Sequence, residues 1–82
     1  MSVNTLPLSM VKEGENIRLV RLNAGERMSQ RLTEMGLTPG TEFTVIQNTT
    51  GPLLLLVRDT RLALGRGMAL KIVVEQLCEK ED

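Results

Sequence analysis

A small, mainly β barrel of five short strands, with one α-helix inserted after the first strand, is the fold this sequence predicts. Three observations predict it. Short alternating or wholly apolar runs recur between tight-turn residues, a single segment switches to a helical period, and the 82 residues suit one domain. Closing the strands into a barrel hides edges that an open five-stranded sheet would leave exposed. The domain is expected to span 1–82, with a core over about 6–75 and flexible ends at 1–5 and 76–82.

Each element has its own signal. Residues 6–9 lead into the fold, with Ser9 placed to cap a short turn that ends near Gly14. Residues 15–22 alternate as the first strand, with Ile17, Leu19 and Arg21 on one face and Arg18, Val20 and Leu22 on the other. The period then changes. Asn23 is an N-cap candidate with Glu26 three residues on, and Ala24, Met28, Leu32 and Met35 share one face of a helix over 24–35. Met28, Leu32 and Met35 are expected to plug one open end of the barrel. Gly36 suits the left-handed residue that ends a helix, and Leu37 is placed to fold back on the last turn.

Thr38-Pro39-Gly40-Thr41 has the chemistry of a type II turn, since proline presets φ at the second position and glycine accepts a positive φ at the third. Strands are expected at 42–47, 53–57 and 61–64, joined by a loop over 48–52 and a tight turn at 58–60. Gly65-Arg66-Gly67 breaks the strand before a one-turn 3₁₀ corner at 68–70. The last strand begins at Lys71.

Composition excludes several functions. Phe43 is the only aromatic residue, so there is no platform on which bases could stack. Ten basic and ten acidic residues balance to a net charge of zero, which gives no support for nucleic-acid binding. Histidine is absent and the carboxylates Glu13 and Glu15 lie on a charged loop, so no catalytic group is expected and the chain reads as a non-enzyme. Gly65-Arg66-Gly67 lacks the spacing of a phosphate-binding loop and reads as a barrel corner.

Cys78 is the only cysteine, so no internal disulfide forms. The N-terminus has no signal-peptide pattern, and the longest aliphatic run, 53–57, is far short of the ~20 residues that span a bilayer. A cytoplasmic protein that is not membrane-inserted is expected. No cofactor is expected. The one candidate metal ligand is Cys78, near Glu75 and Glu79, for Fe(II) or Zn(II), while Met28, Met35 and Met68 read as core filler.

Docking is the positive case. Side chains alternate along a strand, so Leu53, Leu55 and Val57 face one way and Leu54 and Leu56 the other. One set points outward unless the helix or another chain covers it. Leu53, Leu54, Leu55 and Leu56 are therefore candidate partner-binding residues. Arg27 and Arg31, one helical turn apart, frame an anionic contact or solvate the helix. Strand edges and the leucine patch also offer surfaces for a homo-oligomer.

In order along the chain, Gly14-Glu15-Asn16-Ile17, Arg31-Leu32-Thr33-Glu34-Met35-Gly36-Leu37-Thr38-Pro39-Gly40-Thr41, Gly51-Pro52-Leu53, and Leu62-Ala63-Leu64-Gly65-Arg66-Gly67-Met68-Ala69 are followed by Ile72-Val73-Val74. This pattern resembles the FeoA family of small cytoplasmic proteins encoded with the ferrous-iron transporter FeoB. Leu32, Met35, Gly36, Leu37, Pro39 and Gly40 carry the most specific block. The resemblance implies an SH3-like barrel, an accessory role in Fe(II) uptake, and contact with the cytoplasmic GTPase region of an FeoB-type membrane transporter. A similar domain ends DtxR-type repressors. Within the signature, Leu32 reads as core, and Arg31 as either a loop anchor bonding backbone carbonyls or a surface contact. Two rival functions are a transition-metal-binding or metal-sensing module and a nucleic-acid-binding barrel.

Overall fold

A computed structural model describes residues 4–77. The fold is a mainly β antiparallel sheet that curls on itself: β1 (Thr5–Pro7), a 3₁₀ turn (Leu8–Met10), β2 (Asn16–Leu22), α1 (Glu26–Glu34), β3 (Glu42–Gln47), β4 (Leu53–Val57), β5 (Thr60–Leu64), α2 (Arg66–Ala69) and β6 (Ile72–Gln76). The strand order is β1-β6-β2-β3-β4-β5, with every pairing antiparallel. Ile17, Leu19, Phe43, Val45, Leu53, Leu55, Val57, Leu64, Ile72 and Val74 turn inward from β2–β6 and form the core with Leu8, Val11, Leu32, Leu37 and Ala69.

The five expected strands are present, and β1 is a sixth. It is three residues long and ends on a proline, so it leaves almost no alternation to read. Two residues of the ends expected to be flexible, Thr5 and Gln76, belong to the sheet, while residues 1–3 and 78–82 lie outside the described residues. Thr5 pairs with Glu75, and Gln76 pairs with Ile17. The expected alternation of β2 also breaks. Its register against β6 shifts between Leu19 and Arg21, so Arg21 is exposed while Leu22 packs against the core. A bulge of this kind increases local twist and helps the sheet curl. A second shift lies between Val45 and Gln47, where β3 meets β4.

Helix α1 starts later than its sequence suggests. Asn23 is not its cap: the Asn23 N–H donates to the Lys71 carbonyl at 2.7 Å, beside the β2–β6 ladder. The sheet thus claims the backbone that the capping pattern assigned to the helix, and Gly25 becomes the N-cap with no side-chain bond. Ser9 likewise caps nothing. It lies inside the 3₁₀ turn, whose N-cap is Pro7. The helix C-terminus follows its sequence signal. Gly36 has φ +95°, the Leu37 N–H bonds the Leu32 carbonyl at 2.9 Å, and the Gly36 N–H bonds the Thr33 carbonyl at 3.0 Å. This is a Schellman closure, and its hydrophobic pair, Leu32 and Leu37, is fully buried. Gly40, at φ +96°, makes the type II turn, with the Thr41 N–H donating to the Thr38 carbonyl. Leu32 plugs the barrel end as expected, with Met28 and Met35 packed against the core beside it.

The expected 3₁₀ corner at 68–70 is instead the single α-turn α2, which begins two residues earlier. The β4–β5 hairpin has one unusual backbone. Arg58 sits at φ +58°, the only non-glycine residue with positive φ among the described residues. A left-handed non-glycine residue costs about 1–2 kcal/mol, of which the extra unfolded-state entropy of glycine offsets roughly half. Arg58→Gly is therefore expected to stabilise the fold by about 0.5–1 kcal/mol in urea denaturation, with an unchanged m-value.

Candidate interaction surfaces

The leucine run divides as strand geometry requires. Leu53 and Leu55 are fully buried and Val57 nearly so, while Leu54 and Leu56 lie half-buried on the outer face. Leu53 and Leu55 are thus core residues and leave the set of candidate contacts, because their side chains point into the barrel. Leu54 and Leu56 remain. Register places Leu54 beside Ala63 and sets Leu56 between Thr44 and Arg61. Helix α1 closes one barrel end, where Leu32 enters the core.

The same outer face carries an ion-pair ladder across three strands. Arg18 of β2 bonds Glu42 of β3 at 3.0 Å and Glu75 of β6 at 2.8 Å. Hydrogen bonding to Glu42 first, and to Glu75 second, holds the Arg18 guanidinium above its ordinary pKa. Glu75 is therefore occupied as a structural partner. Cys78, the candidate metal ligand beside it in sequence, lies outside the described residues. Among the described residues no group of three or more potential metal-ligating side chains is gathered.

A second surface lies on α1. Arg27, Met28, Gln30, Arg31 and Glu34 line an open groove of about 570 Å³ with Met68 of α2. Met28 and Met68 rest partly buried on the core. Arg27 and Arg31 are exposed, and neither guanidinium has a hydrogen-bond or ion-pair partner among the described residues. Arg31 is thus a surface side chain and anchors no loop.

The anchor is Arg66, whose role sequence reasoning missed. Its Nη2 donates to Asn48 Oδ1 at 2.7 Å, to the Gly51 carbonyl at 3.1 Å and to the Thr49 carbonyl. Asn48 passes the connection on. Its Nδ2 donates to the carbonyls of Ser9 at 3.1 Å and Val11 at 2.7 Å, and its backbone N–H donates to Glu13 Oε2 at 2.8 Å. One arginine and one asparagine thus tie the start of α2 to the β3–β4 loop and to the segment before β2. The available signal was an arginine between two glycines, with an asparagine opening a loop of turn formers.

Residues 6–76 match the model of the FeoA domain. Over 69 residues the chain is 41% identical to a protein of Methanocaldococcus jannaschii named "Putative Fe(2+) transport protein A", the match covering 84% of each chain. The crystal structure of an iron uptake regulatory protein, FeoA, superposes with a TM-score of 0.85 at 33% identity, over 90% of this chain and 100% of that one. A manganese-dependent transcriptional repressor shares the fold at a TM-score of 0.83 and 18% identity, over 94% of this chain and 44% of the repressor. The architecture is therefore the SH3-like barrel common to both groups. No helix among the described residues is long and apolar enough to cross a membrane.

Proposed function

The chain belongs to the FeoA domain family, and on that premise we propose that it is a cytoplasmic, non-enzymatic accessory of ferrous-iron uptake that docks on the GTPase region of an FeoB-type transporter. The observation that carries the docking reading is the α1 groove, with Arg27 and Arg31 over Met28 and Met68. An exposed guanidinium that makes no ion pair among the described residues adds little to folding and is free to meet an anionic partner. Methionine side chains adapt to varied apolar contacts and suit the floor of such a groove. Leu54 and Leu56 add a second half-exposed apolar patch on β4.

The test uses the double variant Arg27→Glu, Arg31→Glu. Both side chains are exposed, so the fold is expected to hold, with stability changed by less than about 1 kcal/mol. Affinity for the isolated GTPase region of the transporter, read by pull-down and biolayer interferometry, is expected to fall at least about tenfold, as charge reversal against an anionic site costs several kcal/mol. Unchanged affinity in the double variant would remove the groove from the contact. Absence of binding by the unmutated chain would remove the docking function itself.

A further inference from the structure

The sheet has two edges, and they differ. β1 is three residues long and ends on Pro7, which has no N–H to donate. Shortness and proline are both devices that keep an edge from pairing. β5 has neither. Its five residues pair with β4 in unbroken register, without a bulge, and its other side is an end of the strand order. Thr60, Arg61 and Ala63 are exposed. Leu62 lies opposite the buried Leu55 and so faces inward, yet it is only partly buried because the sheet ends there.

We propose that this edge is where two copies of the chain associate, β5 against β5, antiparallel about a two-fold axis at Leu62. The sequence of the strand selects that register. With Leu62 opposite the partner's Leu62, Thr60 meets the partner's Leu64 and Arg61 meets the partner's Ala63. The observed β4–β5 register then extends across the axis. On the inner face the row runs Leu55, Leu62, the partner's Leu62 and the partner's Leu55, so each half-exposed leucine covers the other. On the outer face the row runs Leu54, Ala63, the partner's Arg61 and the partner's Leu56. The aliphatic stem of each Arg61 then lies on apolar neighbours while its charge stays in water. Centring the axis on Arg61 would set two guanidiniums directly opposite, which is destabilising. Centring it on Ala63 would leave only the last part of the strand paired.

An edge of this length buries well under the roughly 1,200 Å² of a stable interface, so the dimer is weak, with a dissociation constant in the high-micromolar to millimolar range. The inference goes beyond the transport reading and does not rest on it. Its test is sedimentation velocity and ¹⁵N–¹H correlation spectra of the full chain from micromolar to millimolar concentration, repeated on Ala63→Glu and Ala63→Lys. Ala63 is exposed, so both variants fold. The unmutated chain is expected to dimerise reversibly, with concentration-dependent amide shifts concentrated at residues 60–64. Ala63→Glu creates two symmetric pairs with the partner's Arg61 and tightens the dimer, by roughly two- to thirtyfold. Ala63→Lys weakens it by a comparable factor. A monomer at millimolar concentration, shifts centred on another element, or Glu and Lys acting in the same direction would each overturn the proposal. So would β5 shifts that arise only on adding a foreign extended peptide, which would assign the edge to that strand.

Discussion

Arg66→Ala is expected to lower stability by about 2–3 kcal/mol, measured by chemical denaturation, and the melting temperature by roughly 10–20 °C. The guanidinium gathers Asn48 Oδ1 and the carbonyls of Thr49 and Gly51 around one nitrogen. Hydrogen bonds from a charged donor contribute about 1.5–3 kcal/mol apiece in isolation, and sharing one nitrogen among three acceptors reduces the total. A cost runs the other way, since the buried Arg66 Nε has no acceptor. Arg66→Lys is expected to recover less than half of the loss, because the lysine ammonium ends one bond short of the position of Nη2 and is a more strongly hydrated charge on a flexible stem. A loss below about 0.5 kcal/mol in the alanine variant would show that the loops hold together without this side chain.

Leu55→Asp and Leu54→Asp, adjacent in sequence, are expected to part completely. Leu55 is fully buried, and a carboxylate there would stand in the barrel core with no partner. An unpaired buried charge costs several kcal/mol on top of lost apolar burial, against a total stability of about 5–15 kcal/mol for a domain. Leu55→Asp is thus expected to be unfolded by circular dichroism at room temperature. Leu54→Asp, half-buried on the outer face, is expected to stay folded and lose about 1 kcal/mol. Leu54→Asp is consequently the informative variant for a binding experiment, whereas loss of binding in Leu55→Asp would report only loss of fold. A folded Leu55→Asp would contradict the inward assignment of that side chain.

The fold was legible wherever local chemistry and global packing agree. Gly36, Leu37, Pro39 and Gly40 each have a role that the residue type announces, and the structure shows the helix closure at Gly36 and Leu37 and the turn at Gly40. The alternation of 53–57 identified a strand with two apolar faces but not which face is inside. That depends on the register with β3 and β5, a long-range property. β1 went unread because three residues ending in proline give no period. Asn23 misled because a good capping residue is also a residue with a backbone N–H, and the sheet claimed it.

The candidate surfaces were legible only in part. Arg27 and Arg31 lie exposed on α1, as the helical spacing required of a docking face. Two of the four leucines proposed with them are core. The role of Arg66 was hidden because its partners, Asn48, Thr49 and Gly51, lie on a loop brought to it by tertiary structure. Between two glycines, an arginine is read most simply as part of a corner. That reading is correct for the backbone and silent about the side chain.

The most direct measurement is a calorimetric titration of the unmutated chain into the purified GTPase region of an FeoB-type transporter. The prediction is saturable one-to-one binding with a dissociation constant no weaker than high micromolar. A flat titration at high-micromolar concentrations of both components, with each shown to be folded, would contradict the claim that this barrel works by docking.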